Sequence, residues 1–321
     1  LIIPLANMMT DYGLLFTLVF PLVLLILLII LIISGIPKRK PNQEFMTCDE
    51  FIKDWLKDHG QAHKLDKQFA QMKKDPAGKI YMPITYRGAK FFIKMGLSPN
   101  KVSIMNLILS FFIFWGVIMA SLGHSLNLIT EQPLYGSWFF ALALLVLFTG
   151  IIDGIDGAIA RLLDIKSKTG AWLDNVIDRV SDILMLVCLI PTTLLVYPAY
   201  GLDFRWIVWT NIYLIFIYEY MRARHEGLGL HETKPFIGER ITRILVIATF
   251  FVMYGVSSLV TLLTNIINPS AMIWYASHSW ITMWTMLIYQ ISLLVIMVLS
   301  IILFGKYIWK NLKKIEKIEI V

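Results

Sequence analysis

Four carboxylates, Asp153, Asp156, Asp174 and Asp178, stand in a stretch whose other residues are mostly apolar or small. Asp153 and Asp156 are three positions apart and Asp174 and Asp178 are four, so on helices each pair shares one face. The short connection between the pairs makes the two helices antiparallel neighbours with the acids facing one another. Carboxylates in or beside a bilayer are costly unless something positive compensates them, and Arg161 and Arg179 cannot neutralise four. Hard divalent cations can. An all-oxygen ligand set, with no Cys or His cluster nearby, favours Mg²⁺, Mn²⁺ or Ca²⁺ over zinc. Two such ions would clamp a diphosphate and stabilise the attacking and leaving oxygens of an in-line displacement. Gly157, Ala160 and Gly170 keep the helix faces thin enough for a flat nucleobase and a diphosphate to approach the backbone. Arg161 is placed to pair with phosphate oxygens. The plain alternative is a packing seam of small residues with structural ion pairs, against which the cost of burying so many acids weighs.

The elements that must carry these residues are membrane helices. Of 321 residues, 57% are hydrophobic and 16% charged, with a mean hydropathy of +0.69, too apolar for a water-facing surface. Apolar runs predict seven spans, at 13–35, 102–122, 137–158, 171–197, 205–221, 244–265 and 280–304, each near the length a bilayer core requires. The runs are too long and continuous for barrel strands, so the expected fold is an all-α polytopic membrane bundle. The first span is expected to be an anchor followed by the basic stretch Pro37 to Lys40. Placing the N-terminus outside puts every Lys and Arg except Arg205 on or just within the cytosolic face, so the acids are expected there too. A net charge of +7 then suits anionic headgroups and phosphorylated substrates rather than nucleic acid. Cys48 and Cys188 give no disulfide framework. Four segments are expected: an anchor over 1–36, an interfacial stretch over 37–97, a six-helix membrane domain over 98–305 and a basic tail over 306–321. Within the second, Phe51, Trp55, Leu56 and Phe69 predict short amphipathic helices, and 87–96 a helix lying among headgroups. Ser98, Pro99 and Asn100 supply the turn and cap of the next span.

The spacing D-x2-D-G-x2-A-R-x8-G-x3-D-x3-D over residues 153–178 resembles the signature of the CDP-alcohol phosphotransferase family at every fixed position. The resemblance implies a six-helix membrane domain, here with one extra N-terminal helix, from about residue 98 to 305. It further implies that Asp153, Asp156 and Asp174 bind two Mg²⁺ or Mn²⁺ ions, with Asp178 at the metal site as general base. Gly157, Ala160, Arg161 and Gly170 would line the CDP pocket. The implied reaction is attack by an acceptor hydroxyl on the β-phosphorus of a CDP-linked lipid, releasing CMP. Dimers are common in that family.

A second basic cluster lies at the cytosolic junction of the fifth and sixth predicted spans. Arg240 and Arg243 share a face at a helix start, and Arg222 stands across a short loop, together suggesting a pocket for a phosphate on the acceptor. Positive-inside topology alone is the simpler source of such a cluster. The cluster is similar to the acceptor site of the inositol-phosphate-using branch, with Arg222 in place of a Lys, Ile241 and Thr242 in place of Pro-Glu, and His225 and His231 in the loop. Inositol 1-phosphate is therefore the expected acceptor, with glycerol phosphate or serine as the sibling choice. An intramembrane prenyltransferase would release pyrophosphate instead, and a seven-span transporter would need its acids to run across the membrane rather than gather at one face.

Overall fold

The computed structural model describes residues 13, 15–36, 44–58, 64–122, 132–197, 201–229, 236–269 and 273–319; residues 37–40 and His231 lie outside them. Among the described residues the fold is all-α, with one two-residue antiparallel ladder (β1, Val196–Tyr197; β2, Leu202–Asp203). The helices are α1 (Phe20–Ile33, led in by a π-helical Leu15–Val19), α2 (Cys48–Asp58), α3 (Leu65–Met72), α4 (Met82–Lys94), α5 (Pro99–Leu122), α6 (Gln132–Leu162), α7 (Lys168–Val187), α8 (Arg205–Gly227), α9 (Arg240–Ile267) and α10 (Ile273–Glu319). The chain divides into two compact units, residues 1–119 with 148–185, and 120–147 with 186–321.

In the first unit, α1 is apolar all round and leaves Ile26 and Ile30 more than half exposed, as a lipid-facing helix would. Phe16 and Phe20 meet Phe114 and Phe111 of α5 edge-on, and the Trp115 indole N–H donates to the Phe16 carbonyl at 3.0 Å. At the other end the Lys101 ammonium donates to the Ser34 carbonyl at 3.0 Å and hydroxyl at 2.7 Å, satisfying acceptors that a helix terminus leaves open. Helix α2 begins with a capping box: the Glu50 carboxylate accepts the Thr47 N–H at 2.7 Å, and Thr47 Oγ1 accepts the Glu50 N–H at 3.3 Å. Its apolar face, Phe51, Ile52 and Leu56, is buried, with Phe51 5.7 Å from the Tyr86 ring of α4. The expected amphipathic helices are therefore present, and Phe69 on α3 is covered by the ammonium groups of Lys53 and Lys73.

Helix α4 ends in a Schellman turn: Gly96 takes φ 81°, its N–H donates to the Ile93 carbonyl at 2.8 Å, and the Leu97 N–H donates to Phe92 at 3.0 Å. Pro99 then opens α5. Helix α4 also fixes α6 closely, since a Cβ at Gly154 would collide with the Tyr81 hydroxyl just before α4, and one at Gly88 would lie 2.6 Å from Ile155 Cδ1.

The second unit contains a phenylalanine and tyrosine seam, with Phe139 of α6 5.0 Å from Phe251 and 4.4 Å from Tyr254 of α9. The buried Asn211 amide of α8 donates to the Gln290 side chain of α10 at 2.9 Å, and α10 packs along both α8 and α9.

Among the described residues, five helices are long and apolar enough to cross a membrane: Leu15–Ile33, Pro99–Ser121, Gly136–Leu162, Arg240–Ile267 and Trp284–Lys313. The other two predicted spans are helical but fall short of that composition. Helix α7 carries Lys168, Asp174, Asp178, Arg179 and Asp182, and α8 interleaves Trp, Tyr, Asn211 and Glu219 with its apolar residues. The span predicted over 171–197 also ends earlier, at Val187. Pro191 explains this, because it has no N–H to donate and its ring clashes with a helical carbonyl four residues back. The chain tightens ahead of it, Leu189 and Ile190 donating to the carbonyls three residues earlier at 3.0 Å each.

Candidate functional site

Helices α6 and α7 are joined by a tight hairpin that the sequence caps at both ends. Asp164 takes the left-handed φ of 51° just past α6, and the Ile165 N–H returns to the Ala160 carbonyl at 2.9 Å. Ser167 then caps α7, its Oγ accepting the Gly170 N–H at 3.1 Å. A Cβ at Gly170 would stand 3.0 Å from that Oγ, so the bare backbone leaves the cap room.

The hairpin brings the acids together as their spacing requires. Asp153 on α6 and Asp174 and Asp178 on α7 each offer a carboxylate oxygen within 4.8 Å of the others, and all three are partly buried. Three oxygens at that separation suit one hard divalent cation, which would relieve the repulsion among the carboxylates. Asp156 lies outside that trio. It is 5% exposed, faces Asp174, accepts the Ser103 hydroxyl at 2.5 Å and accepts the N–H of Gly157 at 2.5 Å. A fourth acid held by donors beside the trio fits a ligand that turns to a second cation or stays hydrogen-bonded beside the first.

A cavity of about 450 Å³ opens beside these acids. Asp156 and Asp174 contribute its acidic side, and Gly157, Ala160 and Gly170 its thin wall. Ser98, Pro99, Asn100 and Ser103, from the turn before α5 and the start of that helix, also line it. Arg161 and Lys166 supply basic side chains at its rim. The guanidinium of Arg161 lies over Gly157, where an added Cβ would come within 3.1 Å of Nη1. Gly157 thus accommodates Arg161 as well as leaving space in the cavity.

Ser103, Asn100 and Lys166 had no site role in the sequence pattern. A signal for the first two was available: Asn100 and Ser103 are three residues apart in the first turn of a span, so they share a face. Lys166 had none, lying among the eight unspecified positions between Arg161 and Gly170. It is bound by α2, accepting no proton but donating to Asp54 at 2.8 Å and to Asp58 at 2.9 Å, while Arg161 Nε donates to Asp58 at 3.1 Å. Burial alone would push the Asp58 carboxyl up, yet the Lys166 bond and the Arg161 charge hold it below the ordinary carboxylate value. Burial likewise opposes the charge on Lys166, but its bonds to Asp54 and Asp58 raise its pKa above the ordinary lysine value. The network therefore persists through neutral pH, losing Asp58 only as pH falls through its lowered value and Lys166 only as pH rises through its raised one.

In the second basic cluster the guanidiniums are engaged by glutamates and a backbone carbonyl. Arg243 is 2% exposed; its Nη1 donates to the Gly238 carbonyl at 2.6 Å and its Nη2 to Glu219 at 2.9 Å. Arg222 donates to Glu239 at 2.7 Å, and Glu239 also accepts the Tyr218 hydroxyl at 3.0 Å. Arg240 is buried at the start of α9. Two glutamates that the arginine pattern did not weigh, Glu219 and Glu239, thus sit among these guanidiniums.

Similarity to known proteins agrees with this construction. A sequence profile of the CDP-alcohol phosphatidyltransferases matches residues 96–319. An uncharacterised protein of Aquifex aeolicus is 33% identical over 143 residues, a stretch covering 44% of this chain and 62% of that protein. The archaetidylinositol phosphate synthase of Pyrococcus horikoshii is 30% identical over 172 residues, covering 53% of this chain and 76% of that one. Among solved structures, Mycobacterium tuberculosis phosphatidylinositol phosphate synthase with CDP-DAG bound is 24% identical, with a TM-score of 0.46 over 71% of this chain and 94% of that one. The profile spans the hairpin, its four acids and the cavity beside them, and it takes in α5 to α10. By that match the chain belongs to the CDP-alcohol phosphatidyltransferase family.

Proposed function

We propose that this protein transfers a phosphatidyl-type group from a CDP-linked lipid to a hydroxyl of a phosphorylated polyol, inositol 1-phosphate, with release of CMP. The observation that carries the proposal is the meeting of Asp153, Asp174 and Asp178 within 4.8 Å, with Asp156 and Asp174 on the wall of the adjoining cavity. Divalent cations, Mg²⁺ or Mn²⁺ and two in number, would supply charge neutralisation to the donor's diphosphate and to the departing CMP. Asp153, Asp156 and Asp174 would hold them, with Asp178 at the metal site as general base.

The thin wall of Gly157, Ala160 and Gly170 would admit the cytidine, and Arg161 would pair with the donor's phosphate oxygens. Asp178 would accept the acceptor hydroxyl's proton as the new O–P bond forms and the bond to CMP breaks. The acceptor's own phosphate would be met at Arg222, Arg240 and Arg243. The name of the Pyrococcus relative, an archaetidylinositol phosphate synthase, supports inositol phosphate in that role. Basic residues in the segments flanking the hairpin support an active site at the cytoplasmic face with the N-terminus outside.

The test is CMP release by the purified protein from CDP-diacylglycerol or CDP-archaeol with Mg²⁺ and, in turn, inositol 1-phosphate, glycerol 3-phosphate or serine. Inositol 1-phosphate should give CMP and a phosphorylated inositol lipid. Product with free serine but not inositol phosphate would remove the arginine cluster from acceptor binding. Pyrophosphate release from a prenyl diphosphate supplied in place of the CDP-linked lipid, with no CMP formed from the latter, would point to prenyl transfer.

A further inference from the structure

Helix α2 lies outside the part of the chain that matches the family, yet two of its side chains reach the cavity rim. Asp54 and Asp58, four residues apart and so on one helix face, continue the stripe that begins at the buried Phe51, while Ile52 and Leu56 are buried on the neighbouring face. Asp58 accepts from Arg161 Nε at 3.1 Å and from the Lys166 ammonium at 2.9 and 3.1 Å, and Asp54 accepts from the same ammonium at 2.8 Å. Arg161 and Lys166 are the basic side chains among the described lining residues of the cavity. An anionic ligand entering there therefore meets two cations that are already engaged by carboxylates of the same chain. Arg161 is largely shielded from water at 15% side-chain exposure and Asp58 is one-third exposed at 33%, so their pairing is screened somewhat less than that of a fully open pair.

We propose that Asp54 and Asp58 are resident anions of the donor site, occupying Arg161 and Lys166 until the diphosphate of the CDP-linked donor displaces them, and that Lys166 is thereby a second cation for that diphosphate. A carboxylate and a phosphate offer the same planar guanidinium the same kind of oxygen acceptor, so the two compete for one group. Helix α2 stays docked on α4 through its apolar face while the exchange takes place, so only the carboxylates need to move. Donor affinity is lowered by the fraction of protein in which the cations are engaged, and an empty site is kept from binding unrelated anions.

The inference rests on the proposed donor site, and CDP with Mg²⁺ is the probe that tests both, titrated calorimetrically into the full-length protein in detergent micelles. Asp58→Asn frees both cations from one carboxylate; CDP should then bind on the order of three- to tenfold tighter, as expected for the loss of two partly screened ion pairs. Asp54→Asn removes the same charge but leaves the Arg161 pair in place, and a smaller gain is expected. Asp49→Asn, a change on the same helix as Asp54 and Asp58 that breaks an exposed pair with Lys73 beyond α3, should leave CDP affinity unchanged. Unchanged or weaker CDP binding by Asp58→Asn would overturn the proposal, as would equal gains from Asp54→Asn and Asp58→Asn, which would mark a general charge effect. Absence of CDP binding in the unmodified protein and every variant would remove the donor site itself, and the resident anions with it.

Discussion

Asp178→Asn should lower the rate of CMP release by about 10²–10⁴-fold, the range that a positioned general base contributes. Asparagine keeps the size of the side chain and one carbonyl oxygen, so the packing of α7 is preserved, but the group no longer takes a proton. Asp178 shares the trio with Asp153 and Asp174, so some loss of cation affinity accompanies the change. The two effects separate by titration. With saturating Mn²⁺ the variant should regain most CDP binding and none of the turnover. Near-normal turnover at saturating metal would exclude Asp178 as the base.

The second large effect is on stability. Arg243→Ala should destabilise the protein by about 3–5 kcal/mol, because it takes the guanidinium out of a buried ion pair with the Glu219 carboxylate. The pair is 2.9 Å apart with side chains 2% and 5% exposed, and the Gly238 carbonyl loses a donor as well. Thermal unfolding in detergent measures it. The double variant Glu219→Gln with Arg243→Met should recover much of the loss, since replacing a buried pair by uncharged groups of similar volume is often close to neutral. If Arg243→Ala unfolded at the temperature of the unmodified protein, the pair would have no structural role. Arg222, at 34% side-chain exposure, is the member of the cluster that a dissolved phosphate reaches more readily.

Much of this architecture was legible in the chain. The hydrophobic runs located the long helices, and the three- and four-residue spacings of the acids predicted which faces meet across the hairpin. Periodicity worked there because a bilayer leaves the backbone few alternatives to a helix. It failed over 188–197, where the run stays apolar but Pro191 removes a donor, and hydropathy carries no record of hydrogen bonding. The arginine cluster was read as a phosphate pocket because positive charge is conspicuous in sequence, while which glutamate pairs with which arginine is not. Glu219 and Glu239 come from different elements, and only folding brings them to Arg243 and Arg222. The engagement of Arg161 and Lys166 by α2 was illegible for the same reason, with Asp58 103 positions away from Arg161 along the chain.

Cation-dependent nucleotide binding is the most direct test of the acid cluster's role. The folded, purified protein should bind CDP when Mg²⁺ or Mn²⁺ is present and lose that affinity in EDTA, and Asp174→Asn, which alters both the trio and the cavity wall, should abolish the metal dependence. Equal CDP affinity with and without divalent cations, or none under either condition, would contradict it.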